Sequence, residues 1–274
     1  MKKLVTKYPL TAYLAIAFSI SWISGYISYQ MTDQFPAGII LFFTYLAKFG
    51  PSLGAVIMVL LIGGTEQLRT QFATLIPRKF TPGWLGIALF SQAILWSSVV
   101  LFISTTSTVE LVVDVSAAGL IVLLIAKHFF LGGGMGEELG WRGFMLPRLQ
   151  SNYSALTSSL AIGVAWGLWH GPKFIWDDGG GLSAVIIFTI YTTVLSIIFT
   201  AVFNRSGGNL FVVTLLHASM NGTNGYVEAL IPAIGDVDNA EILLALSWLA
   251  TAIGVCIIGR PQSLAGKNIG RVAL

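Results

Sequence analysis

Charge is what this sequence has least of. Only 10% of its 274 residues are Asp, Glu, Lys or Arg, against roughly a quarter in soluble domains, while 55% are hydrophobic. Such a chain has too little polar surface to face water over most of its extent, which excludes an ordinary soluble globular protein. The single cysteine, Cys256, excludes an internal disulfide, and its apolar surroundings make it a small hydrophobe. No internal repeat is visible, so a transporter built from inverted halves gains no support. The glycine clusters Gly132 to Gly134 and Gly179 to Gly181 lack the spacing and the Lys-Ser/Thr pair of a phosphate loop; they read as flexible backbone at span ends. A net charge of +3 does not mark a nucleic-acid partner, because the basic residues gather at the ends of apolar runs, where they orient membrane proteins.

What the sequence has instead is a succession of apolar runs, each about the 20 residues needed to cross a hydrocarbon core of roughly 30 Å. Eight spans are expected: Leu10 to Tyr29, Ala37 to Ile62, Trp84 to Ser104, Ala117 to Gly134, Ser154 to His170, Ala184 to Phe203, Leu210 to Gly222 and Ile242 to Ile258. Lys2, Lys3 and Lys7 imitate the start of a secretory signal, but the first run is too long for one and no small-residue cleavage site follows, so it reads as a retained span. The fold class is therefore an all-α polytopic membrane bundle, read as one membrane-embedded domain over residues 1–274.

The connections alternate in charge. Basic residues mark one side: Lys2, Lys3 and Lys7, then Arg69, Arg78 and Lys79, then Arg142 and Arg148, Arg205, and finally Arg260, Lys267 and Arg271. The other side carries Asp33, Glu110 and Asp114, Asp177 and Asp178, and Glu228, Asp236 and Asp238, with Lys173 the one basic exception. By the positive-inside rule both termini are cytoplasmic. With no organelle-targeting signal, the simplest setting is a bacterial plasma membrane.

Ionisable residues inside spans are expensive and usually face an interior cavity, so each is a functional candidate. In GMGEELGWRGF, Arg142 lies four residues after Glu138 and can pair with it, while Glu137 points about 100° away around the helix. One carboxylate is then held ionised and the other is left free for general acid-base work. The bland alternative is a salt-bridged helix end. Trp166 and His170 share a helix face at i and i+4, an aromatic wall beside an imidazole, or simply an interfacial pair. His217 and Asn221 repeat that spacing and could hold a developing oxyanion, or act as interhelical glue worth about 1 kcal/mol per bond.

Lys48 precedes GPSLGA, whose Gly50 to Gly54 literally match G-x-S-x-G. That motif needs a strand-turn-helix elbow, so the stretch reads as a Pro51-kinked helix with a small-residue packing face, leaving Ser52 a weak rival nucleophile. His128 and Lys127 have no assigned role beyond snorkelling for the lysine.

An EExxxR segment, an aromatic-xxx-His segment and a His-xxx-Asn segment on successive helices, spanning Glu137 to Asn221, resemble the CPBP (Abi) family of intramembrane proteases. That family includes the CAAX prenyl endopeptidase and bacterial bacteriocin-processing and immunity proteins. The resemblance implies a cavity open toward the cytoplasm in which Glu137 activates water, Glu138 pairs with Arg142, His170 positions water or substrate, and His217 with Asn221 stabilises the oxyanion. Trp166 stands where the family more often has Phe. A metal-free glutamate mechanism with no cofactor is favoured; the alternative is zinc held by Glu137, His170 and His217, although no H-E-x-x-H is present. The implied partners are a peptide or lipidated peptide and the bilayer, with no expectation for oligomeric state.

Two other readings compete: a proton-linked transporter using Lys48, His128, Glu137, His170 and His217, and a catalytically idle immunity protein or scaffold. Depth also tests the shared site. At about 1.5 Å per residue, Glu137 is about 15 Å from Pro147 and His217 about 10 to 12 Å from its span start. His170, about 24 Å from Ser154, disagrees unless its helix starts later and runs on toward Trp176.

Overall fold

The computed structural model describes residues 2–73, 75, 82–106, 119–177, 179–231, 233–234 and 240–263. The connection charges Arg78, Lys79, Glu110, Asp114, Asp178, Asp236, Asp238, Lys267 and Arg271 lie outside the described residues, as do residues 117–118 of the fourth expected span.

Those residues form helices, with no strand among them. In chain order they are α1 (Lys2–Lys7), α2 (Pro9–Gln30), α3 (Ala37–Lys48), α4 (Gly50–Ala73), α5 (Pro82–Thr106), α6 (Leu120–Leu131), α7 (Gly133–Gly140), α8 (Leu146–Gln150), α9 (Ala155–Trp169), α10 (Gly181–Arg205), α11 (Leu210–Leu230) and α12 (Ala240–Ser263). Five helical runs are long and apolar enough to cross a membrane: α2, α4, α5, the stretch Leu120–Gln150, and α10. Two shorter apolar helices, Ala37–Lys48 and Ile242–Ile257, join them. Large apolar side chains point outward on many of them, among them Leu101, Val122, Ile187 and Ile257, as a multi-pass protein in lipid requires.

The second expected span is two helices, not one kinked helix. α3 stops at Lys48, Phe49 leaves helical geometry at φ −97°, ψ 0°, and α4 restarts at Gly50. Pro51 explains the break. It has no N–H to give, and its ring would clash with the carbonyl of Ala47 in a continuous helix, whereas a restarted helix places it in the first turn, where no donor is needed. α4 breaks again at Gly64 (φ 70°, ψ −165°), a left-handed position open to glycine, just after the expected span end.

Helices meet where side chains are smallest. A Cβ on Gly54 would sit 3.1 Å from the Cβ of Ala17 on α2, and one on Gly222 of α11 would lie 2.8 Å from the backbone nitrogen of Ile125 on α6. Gly163 and Gly167, four residues apart on α9, let α10 approach until Thr193 and Thr189 occupy the space of the missing side chains. With little hydrophobic drive between helices in lipid, such backbone approach supplies the packing. The small-residue face expected around Gly50 and Gly54 is thus present.

α11 lies centrally, packed on α5, α6 and α7, while α12 covers α5 and α10. Its first turn is closed by Asn209, whose Oδ1 accepts from the Val212 amide at 3.3 Å. This brings one face of α11 against the segment carrying the paired glutamates.

Candidate active site

Leu120–Gln150 is not a regular helix. α6 ends at the extended residue Gly132 (φ −132°, ψ −151°), α7 begins at Gly133, and a π-helical turn at Trp141–Met145 joins α7 to α8. π turns gather at functional sites because the extra residue re-aims the side chains around it. Glu137, Glu138, Trp141 and Arg142 all lie on this re-aimed stretch, and all four are buried.

The two carboxylates have different partners. Arg142 Nη1 donates to Glu138 Oε1 at 3.0 Å and Oε2 at 3.2 Å. Nη2 of the same guanidinium donates to Ser196 Oγ on α10 at 3.3 Å, and its carbon lies 5.1 Å and 4.8 Å from the ring centroids of Trp166 and Phe199. Glu138 also meets His217, whose Nδ1 is 2.7 Å from Oε1. An ion-paired carboxylate only accepts, so Nδ1 carries a proton and donates to Glu138, leaving Nε2 as the ring nitrogen turned toward Glu137. That nitrogen lies 4.0 Å from Glu137 Oε1.

Glu137 is held from its other oxygen. Oε2 accepts from the indole N–H of Trp166 on α9 and, at 3.4 Å, from that of Trp141. Indoles can only donate, so two of them on one oxygen fix the carboxylate's rotation and leave Oε1 toward His217.

His170 follows Trp169 at the end of α9. Its Nδ1 is 2.9 Å from the Trp166 carbonyl, which requires the proton on Nδ1 and leaves Nε2 as acceptor. α9 starts at Ala155 and not later, but the chain does run on in helical form through the π turn Lys173–Asp177. Despite the depth mismatch, Glu137, Trp166, His170, Phe188, Tyr191, His217, Asn221 and Asn224 line one cavity of about 120 Å³. The three sequence segments therefore face a common void, with Glu138 and Arg142 behind it.

Other candidates stand apart. Ser52 Oγ is buried and donates to the Met135 carbonyl at 2.7 Å, tying α4 to α7. Lys48, with its ammonium 5.4 Å from the Tyr45 ring centroid, and the half-buried His128 do not line the cavity. Among the described residues no three acidic, histidine or cysteine groups are gathered closely enough to hold a metal ion. His170 and His217 each set Nδ1 against a protein oxygen, the Trp166 carbonyl and the Glu138 carboxylate.

Sequence reasoning missed the Glu138–His217 contact, the indole donor of Trp141, and Gly133. A Cβ on Gly133 would collide with His217 Nε2, so this buried glycine seats the imidazole and is not a flexible span end. Its place beside the glutamates was the available signal. Gly179 and Gly181 take positive φ of 67° and 63° just before and at the start of α10.

Residues 118–223 match the family model described as type II CAAX prenyl endopeptidase Rce1-like. Over that segment, which builds the site, the chain is similar to the CAAX proteases. A stretch of 53 residues is 45% identical to CAAX prenyl protease 2 of Methanococcus maripaludis, covering 19% of this chain and 17% of that protein. The CAAX protease match takes in α6 to α10 and most of α11, and so every residue named in the paired-glutamate, aromatic-histidine and histidine-asparagine segments.

Proposed function

We propose that this chain is an intramembrane endopeptidase that hydrolyses a peptide bond of a membrane-associated substrate, with Glu137 as general base. The observation that carries the reading is the 4.0 Å separation of Glu137 Oε1 and His217 Nε2 across a cavity also lined by His170 and Asn221. It is too long for a direct hydrogen bond, yet one water about 2.8 Å from each atom fits between them at an angle of about 90°. Such a water donates one proton to each, leaving an oxygen lone pair directed at a peptide carbonyl.

In this mechanism Glu137 takes the water's proton as the hydroxide oxygen bonds to the carbonyl carbon. The negative charge moves to the former carbonyl oxygen, where the Asn221 amide donates to it. His217 starts as an acceptor toward the water; the proton taken up by Glu137 can pass to Nε2, making it a second donor to the oxyanion, and returns to Glu137 before collapse. His170 positions water or substrate through Nε2. Collapse breaks the C–N bond, and protonated Glu137 returns its proton to the leaving amine, giving a carboxylic acid and an amine with no other reactant consumed. No step needs a metal or cofactor.

The family match and the name of the relative support a substrate ending in a prenylated cysteine motif as the first candidate; a leader peptide is the second. The test is purified protein in liposomes with a quenched fluorogenic peptide of each kind. Glu137→Gln should lower turnover by about 10² to 10⁴-fold, the usual contribution of a general base. Equal cleavage by Glu137→Gln and wild type would overturn the reading, and substrate-dependent proton flux without cleavage would favour a transporter.

A further inference from the structure

One turn beyond Asn221, α11 turns a second carboxamide, Asn224, toward the same cavity. His217, Asn221 and Asn224 fall at i, i+4 and i+7, a single stripe along the helix. Asn224 lies just past the segment that matches the CAAX proteases, and its partners lie far outside it. Its Oδ1 accepts from Gln92 Nε2 and, at 2.8 Å, from the indole nitrogen of Trp96, both on α5. Gln92 and Trp96 are themselves buried.

This arrangement resolves which end of the carboxamide faces where. If Asn224 were turned over, its NH₂ could still bond Gln92, through the Oε1 that is now buried without a partner. Trp96 forbids it, because an indole has a donor and no acceptor. Oδ1 is therefore held at the back of the cavity wall, and Nδ2, which no described residue accepts, is the end left to the void. A cluster that served only to tie α5 to α11 would have closed the Gln92–Asn224 amide pair on both sides, since unmet buried amides are costly.

We propose that Asn224 is a substrate-binding residue whose Nδ2 donates to a backbone carbonyl of the peptide next to the bond that is cut, with Gln92 and Trp96 as the residues that position it. Three residues of α11 rise about 4.5 Å, so a peptide whose scissile carbonyl lies at Asn221 brings a different carbonyl within reach of Asn224. Asn221 then serves the oxyanion, and Asn224 fixes the register of the peptide through another of its carbonyls.

The inference rests on the endopeptidase reading, and the experiment separates the two. Full-length protein in liposomes is assayed with a farnesylated Cys-aliphatic-aliphatic-X fluorogenic peptide and with a membrane-peptide library, the best-cut member being used for kinetics. No cleavage by wild type, or unchanged cleavage by Glu137→Gln, removes the reading and the inference together. Given a Glu137-dependent activity, Asn224→Asp is decisive, because it keeps an oxygen for Gln92 and Trp96 but has no NH₂. The expected result is a thermal midpoint close to wild type with kcat/KM at least 10-fold lower, mostly through KM. A substrate whose neighbouring amide is reduced to CH₂–NH should lose as much with wild type and little more with Asn224→Asp. Wild-type kcat/KM in Asn224→Asp overturns the proposal and leaves Asn224 as glue. Should Asn224→Asp not fold, Trp96→Phe, which frees the amide to turn over, should raise KM at least 3-fold; unchanged KM there overturns it equally.

Discussion

His217 Nδ1 lies 2.7 Å from Glu138 Oε1, a contact between residues 79 positions apart that ties the second carboxylate of the pair to the imidazole facing the first. Glu138 is thus more than the counter-ion of Arg142. It holds His217 by Nδ1, and so sets which ring nitrogen Glu137 faces. Glu138→Gln keeps the shape but can present an NH₂ to Nδ1, permitting the opposite tautomer. Turnover should fall at least 10-fold in a cleavage assay, with KM little changed. Nitrogen chemical shifts of labelled His217 should show the proton moving from Nδ1 to Nε2.

Removing the guanidinium partner outright is a different experiment. Arg142 and Glu138 are fully buried, and Arg142→Ala or Glu138→Ala leaves one charge unpaired, at a cost of about 3–5 kcal/mol. Thermal unfolding in detergent should show a large drop for either variant. The double variant should lose less than the sum of the two.

Gly133 offers a steric test of the imidazole's position. Gly133→Ala must push His217 Nε2 away from Glu137, because the new Cβ meets the ring and not a flexible chain end. Activity should fall by more than 10-fold while the unfolding midpoint moves little. An alanine variant with full turnover would mean that the Glu137–His217 geometry is not used.

Trp166→Phe keeps the aromatic wall and deletes one of the two N–H donors on Glu137 Oε2. Hydrogen bonds to charged groups are worth about 1.5–3 kcal/mol, so the carboxylate gains rotational freedom and kcat should fall by about 10-fold. Trp141→Phe, which removes the longer bond, should have the smaller effect. Comparing the two by kcat at saturating substrate ranks the donors.

Ser52→Ala separates packing from nucleophilic chemistry. It removes the donor to the Met135 carbonyl and should lower stability by about 1 kcal/mol while leaving kcat within about 3-fold of wild type. Labelling by a serine-directed fluorophosphonate should be absent in both proteins.

Much of the architecture could be read from the sequence because lipid imposes one strong rule: apolar length equals span. The ends of α2, α5, α9 and α10 follow the apolar runs closely for that reason. The break at Phe49 was hidden because residues on both sides of it are equally apolar, and hydropathy is blind to the backbone clash that Pro51 would create. α11 runs past Gly222 to Leu230 for a related reason: Thr223, Asn224 and Glu228 end the apolar pattern but not the helix. Helical spacing within one segment could pair Glu138 with Arg142, whereas Glu138 with His217, Gln92 with Asn224 and Trp166 with Glu137 are matches between helices. Those depend on which faces pack together, and the close approaches at Gly163, Gly167 and Gly222 decide that.

The pairing of Glu138 with Arg142 within a single helical stretch bears on how the chain enters the bilayer. An arginine that waited for a partner on a later helix would cross the hydrocarbon boundary carrying an uncompensated charge. Because its counter-ion is one turn earlier in the same segment, the two neutralise each other as soon as that turn coils. This pair can therefore enter lipid as a neutral dipole before α10 or α11 has been synthesised, and the later helices dock against a polar element already in place.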